Sequence, residues 1–454
     1  MHDELDILLK LSTCLVAALV GGFITQRLGL SPIVGYLVAG VAVGPQTPGF
    51  VADTASAAQF AEIGIILLMF GVGLHFNLDD LFAVRRVALP GSLGQVVAGT
   101  LLGSIVTVAA GWNWSAGVVM GIAVSVASTV VLTRVLDDNG VLASEQGHVA
   151  VGWLIVQDVV TVLVLVMVPA LASALRPGNA EATILPSLIV SLVKIAVLVF
   201  IVLWGGKKAL PRLLEHVART RTRELFTLAV LAVALSVATL SAWLFGVSMA
   251  LGAFLAGMVV GQSAVSHQAA ADALPMRDAF AVLFFVSVGM LFDPMTTWRN
   301  APLVVGLLAV IHVANPLVAF CLAWWLRSSP RTALTVAVGI AQIGEFSFIL
   351  AALAEEHALL PAEAPGLLVA CSIAAISLNP LLFRRIQPLE AWLRRQPRLW
   401  RLLSERCESR LRGTLPPSTT SPPDGADRPR ALVVGYGPVG QTACSILRDC
   451  GVDT

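Results

Sequence analysis

The chain has 454 residues, of which 57% are hydrophobic and 13% are charged, and its mean hydropathy is +0.85. These values exclude a soluble globular protein and predict an all-α polytopic membrane protein with the lipid bilayer as its surroundings. The formal net charge of +1 gives no information about partners, and we expect no binding to nucleic acid. The six cysteines show no CxxC spacing, so we expect neither a disulfide framework nor a zinc site.

About thirteen stretches are apolar and long enough to cross a bilayer, since a spanning helix needs roughly 20 apolar residues. The predicted spans lie near residues 5–25, 32–48, 57–76, 88–110, 115–136, 149–173, 185–206, 224–244, 248–264, 277–292, 301–326, 332–355 and 365–392. The first span follows an acidic start and has no A-x-A cleavage pattern beneath it. We therefore interpret it as a retained helix rather than a secretory signal.

Basic residues divide unequally between the two sets of alternate loops. One set of loops, counted together with the ends of the adjoining spans, carries thirteen Lys and Arg residues between Arg27 and Arg331. The other set carries two, Arg176 and Arg299. Because cytoplasmic loops retain an excess of basic residues, this pattern predicts an outside N-terminus and a cytoplasmic C-terminus. We expect a multi-pass protein of the bacterial inner membrane.

The composition changes after the transmembrane domain, which we predict to be residues 1–394. Residues 395–429 are predicted to form a basic amphipathic segment and a Pro- and Ser-rich linker. Residues 430–454 resemble the opening of a Rossmann unit, with a short apolar strand, Gly435, Gly437 and Gly440 in GxGxxG spacing, and a helical pattern. The second strand and its acidic residue do not follow, so we expect no cofactor here. NAD(H) or AMP would need the complete domain.

A carboxylate interrupts the sixth predicted span, "VAVGWLIVQDVVTVLVLVMVPAL". Such a group costs about 2.5 to 3.5 kcal/mol at the bilayer centre, so it faces a bundle interior or a watery cavity and marks an ion or proton path. Asp158 is therefore the first candidate for an ion and proton site. The plainer alternative is that it only bonds a neighbouring helix. Gln157 points 100° away on the same helix, so it either packs against another helix or contributes to the ion site.

Polar residues also interrupt the fifth and twelfth spans. They are Ser125, Ser128, Thr129 and Thr133 in the fifth and Gly339, Gln342, Gly344, Glu345 and Ser347 in the twelfth. Ordinary small-residue packing is one explanation. The other is that two helices, seven spans apart and hence oppositely oriented, are both broken, which is the best sequence indication of a transporter's central site. On the second interpretation Glu345 is either another carboxylate on the pathway or a partner of backbone groups.

Seven collinear motifs resemble the Kef/YbaL-type members of the monovalent cation:proton antiporter-2 (CPA2) family. The motifs are "RLGLSPIVGYLVAGVAVGP", "AEIGIILLMFGVGLHF", "SVASTVVL", the "QD" pair, "SMALGAFLAGMVVGQS", "FAVLFFVSVGMLFDP" and "RTALTVAVGIAQIGEFSFIL". The resemblance covers nearly the whole chain, and the C-terminal segment resembles the start of that family's TrkA-N/RCK-type regulatory domain.

The resemblance implies a thirteen-helix, NhaA-like inverted repeat with a dimerisation domain, a mobile core domain and two broken helices that cross. It also implies a homodimer. By motif, the ion- and proton-binding aspartate corresponds to Asp158 and its neighbour to Gln157. The first broken-helix pair corresponds to Ser128 and Thr129, and the second break to Gln342 and Glu345.

One position departs from the family pattern. Members often carry a lysine in the eleventh span, where this chain has Asn315. Without that cation, the charge of Asp158 has to be met by a proton, a metal cation or helix dipoles. His312, one turn earlier, is either a titrating partner or, more simply, a core histidine. Ser125, His312 and Asn315 are thus candidate pathway residues.

These observations lead to the hypothesis of a secondary transporter that exchanges K⁺ or Na⁺ for H⁺ by alternating access, with both ions competing for Asp158. One proton per cation is the simplest stoichiometry. We expect no enzymatic activity and no metal beyond the transported cation. The first alternative is a gated K⁺ channel whose pore follows the two breaks. A membrane-anchored NAD-dependent oxidoreductase is the second, indicated by the C-terminal glycines alone.

Overall fold

In the computed structural model, the secondary structure of the described residues is helical and contains no strand. The described residues are 2–47, 54–75, 78–142, 144–175, 193–194, 196–245, 249–398, 400–401, 403–404, 431, 433, 438–450 and 452. The chain divides into two compact units, Met1–Arg406 and Cys407–Thr454. The boundaries predicted at residues 394 and 429 remain predictions.

The described residues in the first half of the larger unit form seven helices. They are α1 (His2–Arg27), α2 (Pro32–Val43), α3 (Thr54–His75), α4 (Leu78–Ala109), α5 (Trp114–Ala123), α6 (Thr129–Asp138) and α7 (Glu145–Leu175). Local sequence explains several starts: Ser31 accepts the Ile33 N–H before Pro32, and Asn113 accepts the Ala116 N–H. Such side-chain caps satisfy N–H groups that have no partner within the helix.

The second half of this unit continues the bundle from a π-helical segment, Ile201–Gly206. The α-helices that follow are α8 (Lys207–Ala218), α9 (Arg223–Phe245), α10 (Met249–Gly261), α11 (Ser266–Gly289), α12 (Pro294–Arg299), α13 (Ala301–Ala309), α14 (Asn315–Trp325), α15 (Pro330–Gly339), α16 (Glu345–Glu356), α17 (Ala364–Phe383) and α18 (Ile386–Arg394). A second π-helical segment, Val310–Ala314, joins α13 to α14.

Five described stretches are long and apolar enough to span a membrane: Arg86–Ala109, Glu145–Pro169, Arg223–Phe245, Ala301–Trp325 and Ala364–Phe383. Shorter apolar helices accompany them, in part because the fifth and twelfth predicted spans are each divided into two short helices. A multi-pass membrane protein is confirmed. The count of thirteen spans stays a prediction, and the first part of the span near 185–206 falls outside the described residues.

The helices of the larger unit form two packing groups. In one, α3 packs on α10 and α11, and α2 packs on α1 and α11. In the other, α4, α7, α14 and α17 surround the short helices α5, α6, α15 and α16. The second group holds the buried polar side chains at the two helix breaks, and so it positions the candidate site.

The smaller unit is described mainly through one helix, α19 (Pro438–Asp449). A helix after the glycine motif agrees with the sequence pattern, and Gly440 lies within it. Gly435 and Gly437 lie outside the described residues, so the Rossmann-type opening stays a prediction.

Candidate ion-binding site

The fifth predicted span is broken in its middle. Helix α5 ends at Ala123 and α6 begins at Thr129, with no regular helix between them. The Ser128 hydroxyl accepts a hydrogen bond from the Val131 N–H at 3.2 Å. This cap allows a helix to begin inside the bundle, where its first N–H groups would otherwise lack partners.

The twelfth predicted span is broken in the same way. Helix α15 ends at Gly339 and α16 begins at Glu345, after the extended residue Gly344. A Cβ atom built on Gly344 would lie 2.8 Å from the Ala127 carbonyl oxygen. The close approach of the two backbones therefore requires glycine at this position.

The two breaks are bonded directly to each other. Three hydrogen bonds join them: the Gly344 N–H donates to the Val126 carbonyl at 2.9 Å, Gln342 Nε2 donates to the Ser128 carbonyl at 2.9 Å, and the Ser347 hydroxyl donates to the Ala123 carbonyl at 2.6 Å. The interpretation of two interrupted helices that meet is thus supported over simple small-residue packing.

Asp158 lies on α7 opposite the first break. Its side chain is 7% exposed, and Oδ2 accepts a hydrogen bond from the Thr129 hydroxyl at 2.8 Å. The other oxygen, Oδ1, is buried without a hydrogen-bond partner. A half-satisfied buried carboxylate is costly unless a proton or a cation completes it.

Glu345 places a second carboxylate in the same region. It is the first residue of α16 and is 3% exposed. The Ser128 side chain lies beside its carboxylate, which interacts electrostatically with Asp158, and Oε2 has no hydrogen-bond partner. Two buried carboxylates that repel each other favour protonation of one of them or the binding of a cation.

Oxygen atoms dominate what the site offers to a ligand. In addition to the two carboxylates, the site contains the amide of Gln342. Its Nε2 donates to the Ser128 carbonyl, whereas its Oε1 is buried without a hydrogen-bond partner. The N-termini of α6 and α16 add positive dipole ends near the carboxylates. Among the described residues no group of three His, Cys, Asp or Glu side chains has the arrangement of a metal site. Carboxylate, hydroxyl and carbonyl oxygens suit a proton or an alkali cation.

The side chain of Gln157 bonds residues at the first break and does not bond Oδ1 of Asp158. Its Oε1 accepts the Ala127 N–H at 3.1 Å, and its Nε2 donates to Gln95 Oε1 at 2.5 Å and to the Ser125 carbonyl at 3.3 Å. The Ser125 hydroxyl donates back to the Gly121 carbonyl at 2.6 Å. Gln157 and Ser125 therefore both lie at the first break, as predicted, but their polar groups form hydrogen bonds within the protein.

The structure separates the two candidates in the eleventh predicted span. Asn315 is 1% exposed and its Nδ2 donates to the Val124 carbonyl at 2.9 Å. His312 is half-buried, and its Nδ1 pairs with the Leu308 carbonyl of its own turn at 3.1 Å. Asn315 thus contacts the first break, whereas no contact in the described structure brings His312 to it.

The sequence reasoning did not identify Gln95 or Asn379. Gln95 on α4 is fully buried and donates to the Ser125 carbonyl at 3.1 Å. Asn379 on α17, also fully buried, donates to the Val338 carbonyl at 2.7 Å near the end of α15. Each of these amides lies within an apolar stretch of the sequence. This position indicates that the side chain is buried but does not indicate which group it bonds.

A cavity of 630 Å³ opens at the end of the bundle where α9 ends and α17 begins. It lies between the two packing groups, with walls from α3, α10, α11, α16 and α17. Its lining is mainly apolar but includes Glu62, Glu355 and Glu356. Phe348, one turn after Glu345 on α16, also lines it. The cavity therefore reaches the helix that carries the second carboxylate.

The family model for the transmembrane sodium/hydrogen exchanger matches residues 15–385. The chain belongs to this family. Among its relatives, a protein of Escherichia coli (strain K12) named "Putative cation/proton antiporter YbaL" is 45% identical over 441 residues, which are 97% of this chain and 77% of the relative. The resemblance found in the sequence motifs is thereby confirmed.

Two further comparisons found similar proteins. An "Uncharacterized protein in phaC 3'region" of Methylorubrum extorquens is 50% identical over 276 residues, 59% of this chain and the whole of that protein. The sodium proton antiporter MjNhaP1 of Methanocaldococcus jannaschii superposes with a TM-score of 0.59, over 84% of this chain and 97% of that one. Its 16% sequence identity means that this likeness concerns the fold.

Proposed function

We propose that this chain exchanges K⁺ or Na⁺ for protons by alternating access, and that the cation and the proton compete for Asp158. The observation that carries the proposal is the environment of this carboxylate. One oxygen is held by Thr129 at 2.8 Å, and the other is buried without a partner beside two crossing helix breaks. Such a group needs a positive ion from solution to balance it.

Competition at one carboxylate is sufficient to produce exchange. An empty, ionised Asp158 is too costly to carry through a closed intermediate, so the site changes sides only when it holds a proton or a cation. After the site has released a cation on one side of the membrane, it binds a proton there and carries it back to the other side. Thr129 orients the carboxylate, and the free oxygens of Gln342 and Glu345 complete a shell for the cation.

Glu345 keeps its proton through the cycle in this proposal. One cation beside two ionised carboxylates would leave a buried negative charge, so the lower-energy arrangement protonates one of them. Asp158 exchanges its proton for the cation, whereas Glu345 stays neutral. One proton per cation and electroneutral exchange follow.

Glu345→Gln tests this division of roles. A glutamine resembles a protonated glutamate but cannot titrate, so exchange is expected to stay within about threefold of wild type, a barrier change below about 1 kcal/mol. Initial rates of cation-driven pH change in vesicles give the measurement. A loss as large as that caused by removing the Asp158 charge would show that Glu345 releases its proton during transport.

The direct test of the proposed function is an exchange assay in reconstituted vesicles. Outward gradients of K⁺ and of Na⁺ are imposed separately, and lumenal pH is followed over a range of external pH. Saturable, cation-dependent proton movement without a membrane potential is expected. Continuous single-channel current would instead support a channel, and no cation-dependent pH change would refute the proposal.

The membrane arrangement is part of the proposal. The excess of basic residues in alternate loops supports an outside N-terminus and a C-terminus in the cytoplasm of a bacterium, with the chain in its inner membrane. A homodimer is proposed from the family resemblance. On this orientation the 630 Å³ cavity with Glu62 and Glu355 opens to the outside.

The acidic cavity is expected to concentrate cations before they reach the site. Neutralising Glu62 and Glu355 together by substitution with Gln should raise the external cation KM about two- to fivefold at low ionic strength, with kcat unchanged, because the focused negative potential is lost. Transport is measured in vesicles at low and high salt. Glu145→Gln, an exposed carboxylate at the other end of the bundle, is the control. A KM change of the same size at high salt would contradict an electrostatic cause.

A further inference from the structure

The C-terminal end of half-helix α5 is closed by side-chain amides. The last carbonyl groups of a helix have no partner within it, so those at a break need partners from elsewhere in the protein or from solvent. Here Asn315 donates to the Val124 carbonyl, and both Gln95 and Gln157 donate to the Ser125 carbonyl. These three side chains come from α14, α4 and α7, and none carries a charge.

Gln95 and Gln157 form a linked pair whose amide orientations follow from the backbone. The Ala127 N–H needs an acceptor, which fixes Oε1 of Gln157 toward the break. The Gln157 NH₂ group then faces Gln95 Oε1 at 2.5 Å, which leaves the Gln95 NH₂ group for the Ser125 carbonyl at 3.1 Å. Both NH₂ hydrogens of Gln157 are used, by Gln95 and by Ser125.

This pair controls the backbone that forms the ion site. It holds Ser125 through its carbonyl and Ala127 through its N–H, on both sides of Val126, whose carbonyl accepts the Gly344 N–H from the second break. Two residues after Ala127, Thr129 holds Asp158. Gln157 precedes Asp158 on α7, so the amide pair and the carboxylate are positioned by one helix.

We propose that Gln95 is a positioning residue for cation selectivity, acting through Gln157 on the first break. This inference rests on the proposed function and deepens it. Gln95 touches no transported ion; it locks the amide of Gln157, which locks the peptide groups of Ser125 and Ala127. Oxygen positions near Asp158 are held within the small tolerance that separates K⁺ from Na⁺. Gln157 is thereby assigned to the same scaffold rather than to the cation's ligand shell.

Gln95→Leu provides the main test. It removes the acceptor for Gln157 and one donor to Ser125, so the break is free to shift. The ratio of the half-saturating K⁺ and Na⁺ concentrations is expected to change about tenfold, in addition to any fall in rate. The reason is that the residues that support the ion site, once displaced, alter its geometry. Gln95→Glu, which still accepts from Gln157 but cannot donate as a carboxylate, is expected to restore part of the wild-type ratio.

Two measurements separate positioning from a merely structural role. Ser104→Ala removes a fully buried hydroxyl from α4 that bonds only its own helix, and it is expected to leave the ratio unchanged. The double variant Gln95→Leu/Gln157→Leu is expected to resemble the more severe single variant, because linked residues act as a unit.

Cation binding by purified protein is followed as a shift in melting temperature with K⁺ or Na⁺, alongside vesicle exchange. An unchanged selectivity ratio in Gln95→Leu, or losses that multiply in the double variant, would overturn the role of Gln95 while wild-type exchange leaves the proposed function standing. Wild-type protein that neither exchanges nor responds to either cation would overturn both.

Discussion

Vesicles that contain the Asp158→Asn protein are expected to show no cation-driven proton movement above the background of empty vesicles. Asparagine keeps the size of the side chain and can still bond Thr129, but it neither holds a proton at Oδ1 nor balances a cation. Removing one member of a buried charged interaction costs about 2 to 5 kcal/mol, which corresponds to a loss of at least about 30-fold in exchange. The rate of lumenal pH change under a K⁺ or Na⁺ gradient gives the measurement.

Asp137→Asn is the matched control for this experiment. Asp137 is an exposed carboxylate near the end of α6, the short helix that begins at Thr129, and its neutralisation should leave exchange unchanged. Melting temperatures show whether each variant folds. The Asp158 variant is expected to melt no lower than wild type, because it no longer buries a carboxylate with an unsatisfied oxygen. Wild-type exchange by a folded Asp158→Asn protein would refute the assignment of the site.

The transported cation is also expected to affect the melting temperature of the wild-type and Asp158→Asn proteins differently. Any ion that binds only the folded protein raises its melting temperature, and the rise grows with the ratio of ion concentration to Kd. Wild-type protein should therefore be stabilised by the transported cation, and more strongly as pH rises, since fewer protons then compete for Asp158. Asp158→Asn should lose this response, which ties the transport result to binding.

The fold was predictable because its physical causes are local and repeated. Long apolar runs leave helices as the structure that satisfies every backbone group in lipid, and the polar interruptions in two spans indicated the breaks that the structure shows. Ser128 is a helix cap by residue type, and Gly344 is the residue that a close backbone crossing needs. Both signals can be read along the chain without knowledge of the packing.

The arrangement around the breaks was less accessible, because its bonds join distant residues. Gln95 lies 62 residues from Gln157, and Asn315 lies 191 residues from the Val124 carbonyl it bonds. An amide in an apolar span indicates that a partner exists but gives no direction. The family resemblance assigned Gln157 to the ion site, although a neighbour of Asp158 on the same helix points about 100° away from it.

Asn315 shows how a substitution noticed in the sequence acquires a physical meaning in the structure. The absence of a lysine there indicated only a missing positive charge. In the structure the amide bonds the Val124 carbonyl, and a Cβ on Gly99 would lie 2.3 Å from its Oδ1, so a small residue on α4 leaves room for it. The first break is thus closed by neutral groups, and its negative dipole end adds to the need for a cation near Asp158.

Gly344→Ala is expected to separate the two breaks and to reduce exchange strongly. The added methyl group would stand 2.8 Å from the Ala127 carbonyl oxygen and 3.2 Å from the Ser128 N, so backbone must move, at a cost of about 1 to 3 kcal/mol for an overpacked site. The same movement displaces Gln342 and Glu345 from Asp158. A displacement near 1 Å costs about 100-fold where geometry sets the rate, so we expect exchange to fall by tenfold or more.

Gly205→Ala is the control for Gly344→Ala, because a Cβ there meets nothing within 4 Å. Both variants add one methyl group, yet Gly205→Ala is expected to exchange like wild type. The melting temperature separates the two effects of Gly344→Ala: overpacking lowers it, whereas a displaced site lowers exchange even in folded protein assayed well below melting. If Gly344→Ala exchanged at the wild-type rate, contact between the breaks would not be needed for transport, and the oxygens that surround the ion would have to belong to one helix break alone.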